Sequence, residues 1–289
     1  MTRTKLSRSL AICAATALAL ALAGCDNNAS PGGGNGGGGF PPDTGPTSII
    51  FNYTDDTEPG LWRIEASGSP TLVPDIEEFS YAIDYINANE GTFVFAVDDD
   101  VSSIPSGGPS LILSGDNRNL TIVGMGGTRV LARGIAGQII NTEGTATNSS
   151  VTLRNITLRG QATGNPAPIV NVEGGWRFVM EGNSRIEGNV STGAGLPTLQ
   201  AYGAAVRIAG DSRLYMRSGE ITGNRSSSTN PNAVGGVSLQ GAGSRIVMLG
   251  GTITGNSQGP SATDNTPSDI RINDNGQIYG PTGSSVIHR

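Results

Sequence analysis

The sequence predicts an all-β chain wound into a parallel β-helix, with one α-helix covering its N-terminal end. Three observations lead there. Gly supplies 44 of 289 residues, about twice ordinary usage, so turns are frequent. A Gly-Asn pair recurs at Gly188-Asn189, Gly223-Asn224 and Gly255-Asn256, at intervals of 35 and 32 residues; periods of roughly 20–50 residues mark solenoids, propellers and arrays. Each interval carries three apolar alternations of three to five residues. A propeller blade would need about 40 residues and four antiparallel strands, so three short strands per unit favour a stacked β-helix. The apolar fraction is only 36%, yet a chain this long still supplies one elongated core. Two Cys exclude a disulfide scaffold. The single His, His288, excludes His-based metal sites and makes a His triad improbable. We expect no metal and no cofactor.

Residues 1–24 read as a signal peptide. Arg3, Lys5 and Arg8 precede an apolar run from Leu10 to Leu22, too short to span a bilayer. The run ends in Leu22-Ala23-Gly24-Cys25, which resembles the lipobox of bacterial lipoproteins. That resemblance implies cleavage before Cys25, lipidation of its thiol and acylation of the new amino terminus. The protein is then exported and held on a membrane by several acyl chains, each buried CH2 contributing about 0.8 kcal/mol. Asp26 does not decide between inner and outer membrane. Residues 25–48, with Pro31-Gly32-Gly33-Gly34 and Pro41-Pro42, form a tether that reaches roughly 25–30 Å as a flexible chain.

Residues 49–91 form a short β segment followed by the capping helix. Ile49 to Tyr53 and Leu61 to Ile64 read as strands around an acidic turn, Asp55 to Gly60. From Asp75 to Glu90 the apolar residues Ile76, Phe79, Ile83 and Ile86 fall on one helical face. Asp75 stands at an N-cap, Glu78 completes a capping box, and Gly91 is the stop.

Residues 92–289 carry the repeats. Val170/Val172, Val206/Ile208 and Val237/Leu239 align, as do Phe178/Met180, Leu214/Met216 and Ile246/Met248, and then Ile186, Ile221 and Ile253. A polar loop of eight to fifteen residues closes each unit. The Gly-Ala/Gly-Val strand, the Arg-x-x-Met strand and the Ile-Thr-Gly-Asn turn resemble right-handed parallel β-helix repeats of pectate-lyase-like proteins and of polymorphic outer-membrane adhesin-like proteins. The resemblance covers about Thr92 to Tyr279. It implies a right-handed solenoid whose N-terminal end is closed by a helix, and it says little about function. The C-terminal edge lacks such a helix and is a candidate for docking a partner or another copy.

Asn189, Asn224 and Asn256 coincide in the alignment. A stacked, hydrogen-bonded Asn ladder explains them without a ligand. Enzymes on such folds need converging carboxylates, either for calcium or as paired acids. The acids of the three clear units are Glu173, Glu181, Glu187, Asp211 and Glu220, and none has an acidic equivalent in the next coil. Glu187 and Glu220 could still approach each other, but nothing in the sequence marks them as a pair. Asp98-Asp99-Asp100 reads as a turn or solvated lip rather than a calcium site. No residue is assigned a catalytic role.

Charge is the sharper signal. Residues 26–100 hold 14 acids and one base, whereas 101–289 hold 14 Arg and 10 acids. Arg177, Arg213 and Arg245 each directly precede an inward-facing residue, so strand alternation points all three outward in adjacent coils. Such a column is a fork array for carboxylate, sulfate or phosphate; the plainer reading is a solvated face whose Arg stems cover strand surface. The chain from Cys25 carries 15 Arg against 24 acids and is exported, which disfavours nucleic acid. The sequence therefore predicts a lipid-anchored envelope module that binds an acidic glycan or envelope polymer. A carbohydrate-active lyase or hydrolase, and a purely architectural envelope protein, are the alternatives. A groove with two convergent carboxylates would favour the enzyme.

Overall fold

The computed structural model describes residues 48–54, 61–66, 79–97, 100, 111–134, 136–192, 203–230, 232–261, 266–273 and 275–280. The signal segment, Cys25, the tether up to residue 47, Asp75, Glu78, Asp98, Asp99 and His288 lie outside them. The chain winds about five turns of a parallel β-solenoid, consistent with a right-handed helix.

Each full coil visits the sheets in the same order. The first sheet stacks β4 (Leu111–Ser114), β7 (Ile140–Glu143), β10 (Val170–Val172), β14 (Val206–Ala209), β18 (Val237–Gln240) and β23 (Ile270–Asn273). The second stacks β3 (Gly91–Val97), β5 (Arg118–Gly124), β8 (Ser150–Arg154), β11 (Arg177–Glu181), β15 (Arg213–Met216), β19 (Arg245–Met248) and β24 (Gln277–Tyr279). The third holds β6 (Arg129–Ala132), β9 (Ile156–Arg159), β12 (Arg185–Glu187), β16 (Glu220–Thr222) and β20 (Thr252–Ile253). A fourth sheet holds β13 (Val190–Ser191), β17 (Arg225–Ser226) and β21 (Ser257–Gln258), with β22 (Thr266–Pro267) antiparallel to β21.

That fourth sheet corrects the expectation of three strands per coil. Its strands are two residues long and mostly polar, too short for apolar alternation to mark them.

Parallel pairing sets every inward residue on its counterpart one coil away. Val170 meets Val206, then Val237 and Ile270. Phe178 meets Leu214, Ile246 and Ile278, and Met180 meets Met216 and Met248. Ile186, Ile221 and Ile253 form a third column. One continuous apolar core results, each fully buried aliphatic contributing about 1.5–3 kcal/mol. The columns open at the last coil, where Ile253, Ile272 and Ile278 are only partly buried. Among the described residues β23 and β24 pair on one side only, and Leu249 and Tyr279 are exposed.

The other end is covered. Residues 48–66 form the hairpin of β1 (Ser48–Thr54) and β2 (Leu61–Ala66), and β1 pairs in parallel with β3, so the hairpin prolongs the second sheet. The helix α1 (Phe79–Ala88) lies over the first coil. Ile83 and Ile86 enter the core, and Tyr85 meets Phe93 edge-on at 6.5 Å. The Asn87 amide replaces a missing strand at the edge of β4: Nδ2 donates to the Ile112 carbonyl (2.7 Å), and Oδ1 accepts from the Ser114 N–H (3.0 Å). Arg118 donates to the Ile86 carbonyl through Nε (2.9 Å) and to the Asn87 carbonyl through Nη2 (2.6 Å). A guanidinium there satisfies orphan carbonyls and suits the negative end of the helix dipole. No helix among the described residues is long and apolar enough to cross a membrane.

Candidate functional site

The second sheet presents an outward column running Asn119, Ser150, Arg177, Arg213, Arg245 and Gln277, each paired in register with the next. The three arginines thus stand in consecutive coils, about 4.8 Å apart along the rod. All three are partly buried, and Val179, Tyr215 and Val247 form the neighbouring column two residues on in the same strands. The Arg245 guanidinium lies 5.7 Å from the Tyr279 ring centroid, a cation–π distance, and its Nε is buried without a hydrogen-bond partner.

These arginines carry no counter-charge among the described residues, as Arg118, Arg129, Arg133, Arg225 and Arg271 do not either; what sets the three apart is that they stack in register. Arg154 and Arg217 both meet Glu181, Arg159 and Arg185 both meet Glu187, Arg185 also meets Glu220, and Arg207 meets Glu173. Among the described residues no carboxylate lies within 4.0 Å of Arg177, Arg213 or Arg245. Stacked like charges repel by up to about 1 kcal/mol per neighbouring pair at the dielectric of water, and salt reduces this. An external anion would remove that repulsion and engage the guanidinium forks.

Glu187 and Glu220 do come close to one group, but it is a cation. Arg185 reaches Glu220 at 2.7 Å and Glu187 at 3.6 Å. The two carboxylates are therefore members of an ion-pair chain, Arg159–Glu187–Arg185–Glu220, on the third sheet. Asp100 accepts from the Val130 N–H at 2.9 Å, holding the turn against β6.

Asn189, Asn224 and Asn256 are buried and stacked. Asn224 Oδ1 accepts from the Asn189 N–H (3.1 Å), and Asn256 Oδ1 accepts from the Asn224 N–H (3.1 Å) and Nδ2 (3.0 Å). Asn165 donates to Asn189 at one end (2.8 Å), and Asp269 accepts from Asn256 at the other (3.0 Å). Every oxygen in this run faces a protein donor, so the ladder holds the turn together.

Sequence reasoning missed a second polar feature, on the outer face of the first sheet. Arg207 is nearly buried. Its Nη1 donates to Asn171 and Glu173 (both 2.7 Å), and its Nε donates to Gln240 (2.8 Å). Asn171 donates onward to Asn141 (2.7 Å), which donates to Glu143 (2.8 Å). The signal was available: Ile140-Asn-Thr-Glu143-Gly and Val170-Asn-Val-Glu173-Gly are the same phrase one coil apart. Glu143 is thus the acidic counterpart of Glu173 in the preceding coil. Comparison with protein-family models, curated proteins and solved structures finds no match. What defines this chain is therefore its own architecture: a repeat-built parallel β-helix with an unpaired arginine column on one face.

Proposed function

We propose that this protein is a lipid-anchored envelope module that binds an acidic polysaccharide through Arg177, Arg213 and Arg245. The observation that carries the reading is the stacking in register of three arginines that have no counter-charge among the described residues. Arg154, Arg159, Arg185, Arg207 and Arg217 are neutralised by Glu, while the three stacked ones are left to an external anion. Each presents a planar fork matched to carboxylate or sulfate, and the coil repeat supplies them at a regular spacing suited to a linear polymer. Anchoring rests on Leu22-Ala23-Gly24-Cys25, which resembles a lipobox, and the Gly-rich tether lets the solenoid stand off the bilayer. The test is retention of the full chain on an immobilised polyuronate. Wild type should be retained, and the variant carrying Arg177→Gln, Arg213→Gln and Arg245→Gln should elute with the void. Equal retention of both would end the proposal.

One observation favours the second reading, a carbohydrate-active hydrolase. Glu143 and Glu173 occupy equivalent positions in adjacent coils, Glu173 lining a shallow depression, and glycosidases act through paired acids. Shortened products from the retained polymer would establish the enzyme.

A further inference from the structure

Every coil from β4 onward gives one strand to each of the first three sheets, until the last. That coil gives β23 to the first sheet and β24 to the second. Among the described residues it gives none to the third, where β20 (Thr252–Ile253) stands at the edge. Burial follows the same line. Ile186 and Ile221 are fully buried in the third inward column, whereas Ile253, its next member, is only partly so, together with Ile272 and Ile278 of the last coil.

Residues 281–289 follow β24 and lie outside the described residues. Their sequence carries the next repeat. From the inward residue of the second sheet to that of the third, the chain takes seven steps at Val151 to Leu158, Leu214 to Ile221 and Ile246 to Ile253, and eight at Phe178 to Ile186. Eight steps beyond Ile278 stands Val286. Ser184, two residues before Ile186, is buried, and its hydroxyl donates to the Glu181 carbonyl at 2.7 Å, closing that turn. Ser284 stands two residues before Val286. Pro281 is a departure. The β19–β24 register sets it opposite Leu249, whose N–H donates to the Met216 carbonyl (2.8 Å), and Pro has no N–H. The Gly250 N–H shares that carbonyl (2.9 Å), and Thr282, its counterpart, keeps an N–H.

We infer that residues 284–287 complete the last coil: they dock as a parallel strand on the free edge of β20, with Val286 turned inward onto Ile253 beside Ile278. The occupant of the open C-terminal edge is then this chain's own tail, not a second copy. In the third sheet the Thr252 N–H donates to the Gly219 carbonyl (3.0 Å) and the Thr254 N–H to the Ile221 carbonyl (3.1 Å). Carried one coil further, the Ser285 and Ile287 N–H groups donate to the Gly251 and Ile253 carbonyls. The docked strand covers backbone that otherwise offers a template for pairing with another molecule. None of this depends on the arginine column.

The experiment is amide hydrogen exchange on the full chain, followed residue by residue by NMR at two protein concentrations. In the wild type the Ser285 and Ile287 amides should exchange about tenfold or more slower than in a free peptide of residues 281–289, and equally so at both concentrations. Val286→Asp should return both amides to the free-peptide rate, and Val286→Ile should keep them slow. The Arg213 and Glu220 amides, bonded in inner coils to the Trp176 and Ser184 carbonyls, should stay protected in Val286→Asp, which separates undocking of the tail from unfolding. Where they do not, the wild-type and Val286→Ile rates decide. Free-peptide rates at Ser285 and Ile287 in the wild type overturn the inference. So does protection that appears only at the higher concentration, which makes a second copy the occupant, and so does protection that a folded Val286→Asp leaves intact.

Discussion

Asn224→Ala removes the central rung of the Asn ladder, and its cost follows from the bonds it breaks. Asn224 Oδ1 is the acceptor of the Asn189 N–H, and Nδ2 donates to the Ile186 carbonyl and the Thr222 carbonyl (both 3.0 Å) and to Asn256. Asn224 is 1% exposed, so water does not readily replace these partners. Asn256 Oδ1 keeps the Asn224 N–H, but the Asn189 N–H and the Ile186 carbonyl lose side-chain partners. A buried polar group left unsatisfied costs about 1–3 kcal/mol, so the two together cost about 2–6 kcal/mol. Urea unfolding followed by far-UV circular dichroism should show this as a lowered midpoint. Asn224→Asp sharpens the test. At pH 7 its carboxylate still accepts from Asn189 but offers no proton to Ile186, Thr222 or Asn256. Burial raises the folded-state pKa of that new carboxyl above its unfolded value of about 4. Its destabilisation should be smallest below that unfolded value and grow as pH rises through the folded one. A loss below about 1 kcal/mol for Asn224→Ala, or a deficit for Asn224→Asp that does not change with pH, would refute the ladder as a source of stability.

Other substitutions probe other parts of the account. Gly174→Ala should be strongly destabilising by thermal melt, because φ is +74° and a Cβ there would overlap the Gly144 carbonyl oxygen. Arg118→Ala should loosen the N-terminal cap, costing about 1.5–3 kcal/mol for its bonds to the α1 carbonyls, and hydrogen exchange should rise first in α1. Burial lowers the pKa of Arg133, and its Nε and Nη1 lack partners. Arg133→Met should therefore leave the melting temperature unchanged or raise it. Cys25→Ala should abolish incorporation of labelled palmitate and move the protein from the membrane fraction to the soluble one.

The fold was readable wherever side chains alternate. Phe178/Met180 and their equivalents predicted β11, β15 and β19 in register, since inward residues must match their neighbours to fill a shared core. The fourth sheet was not readable, because Val190-Ser191, Arg225-Ser226 and Ser257-Gln258 are two residues long and carry no apolar alternation. The arginine column could be placed by strand parity, yet its lack of ion pairs could not, since Arg154 and Arg217 look the same in sequence and both meet Glu181. Arg207 escaped notice for a related reason. It occupies an outward position, where Arg is expected to be solvated, but it folds back among Asn171, Glu173 and Gln240. Gln161 was overlooked as the coil-2 counterpart of Asn189, whose Oδ1 accepts from the Gln161 N–H at 3.2 Å, because Gln is not Asn on the page.

The central claim is that three unpaired guanidiniums engage a polyanion, and the salt dependence of binding counts them most directly. Affinity for a polyuronate should be measured for wild type and the triple Arg→Gln variant across a salt series, with the bound polymer analysed for chain length. By analogy with single-stranded polyanions, each contact contributes a slope of about −0.7 in log affinity against log salt. The account predicts that the substitutions make the slope shallower by about 2 while the recovered polymer stays intact. Equal slopes for the two proteins would contradict it.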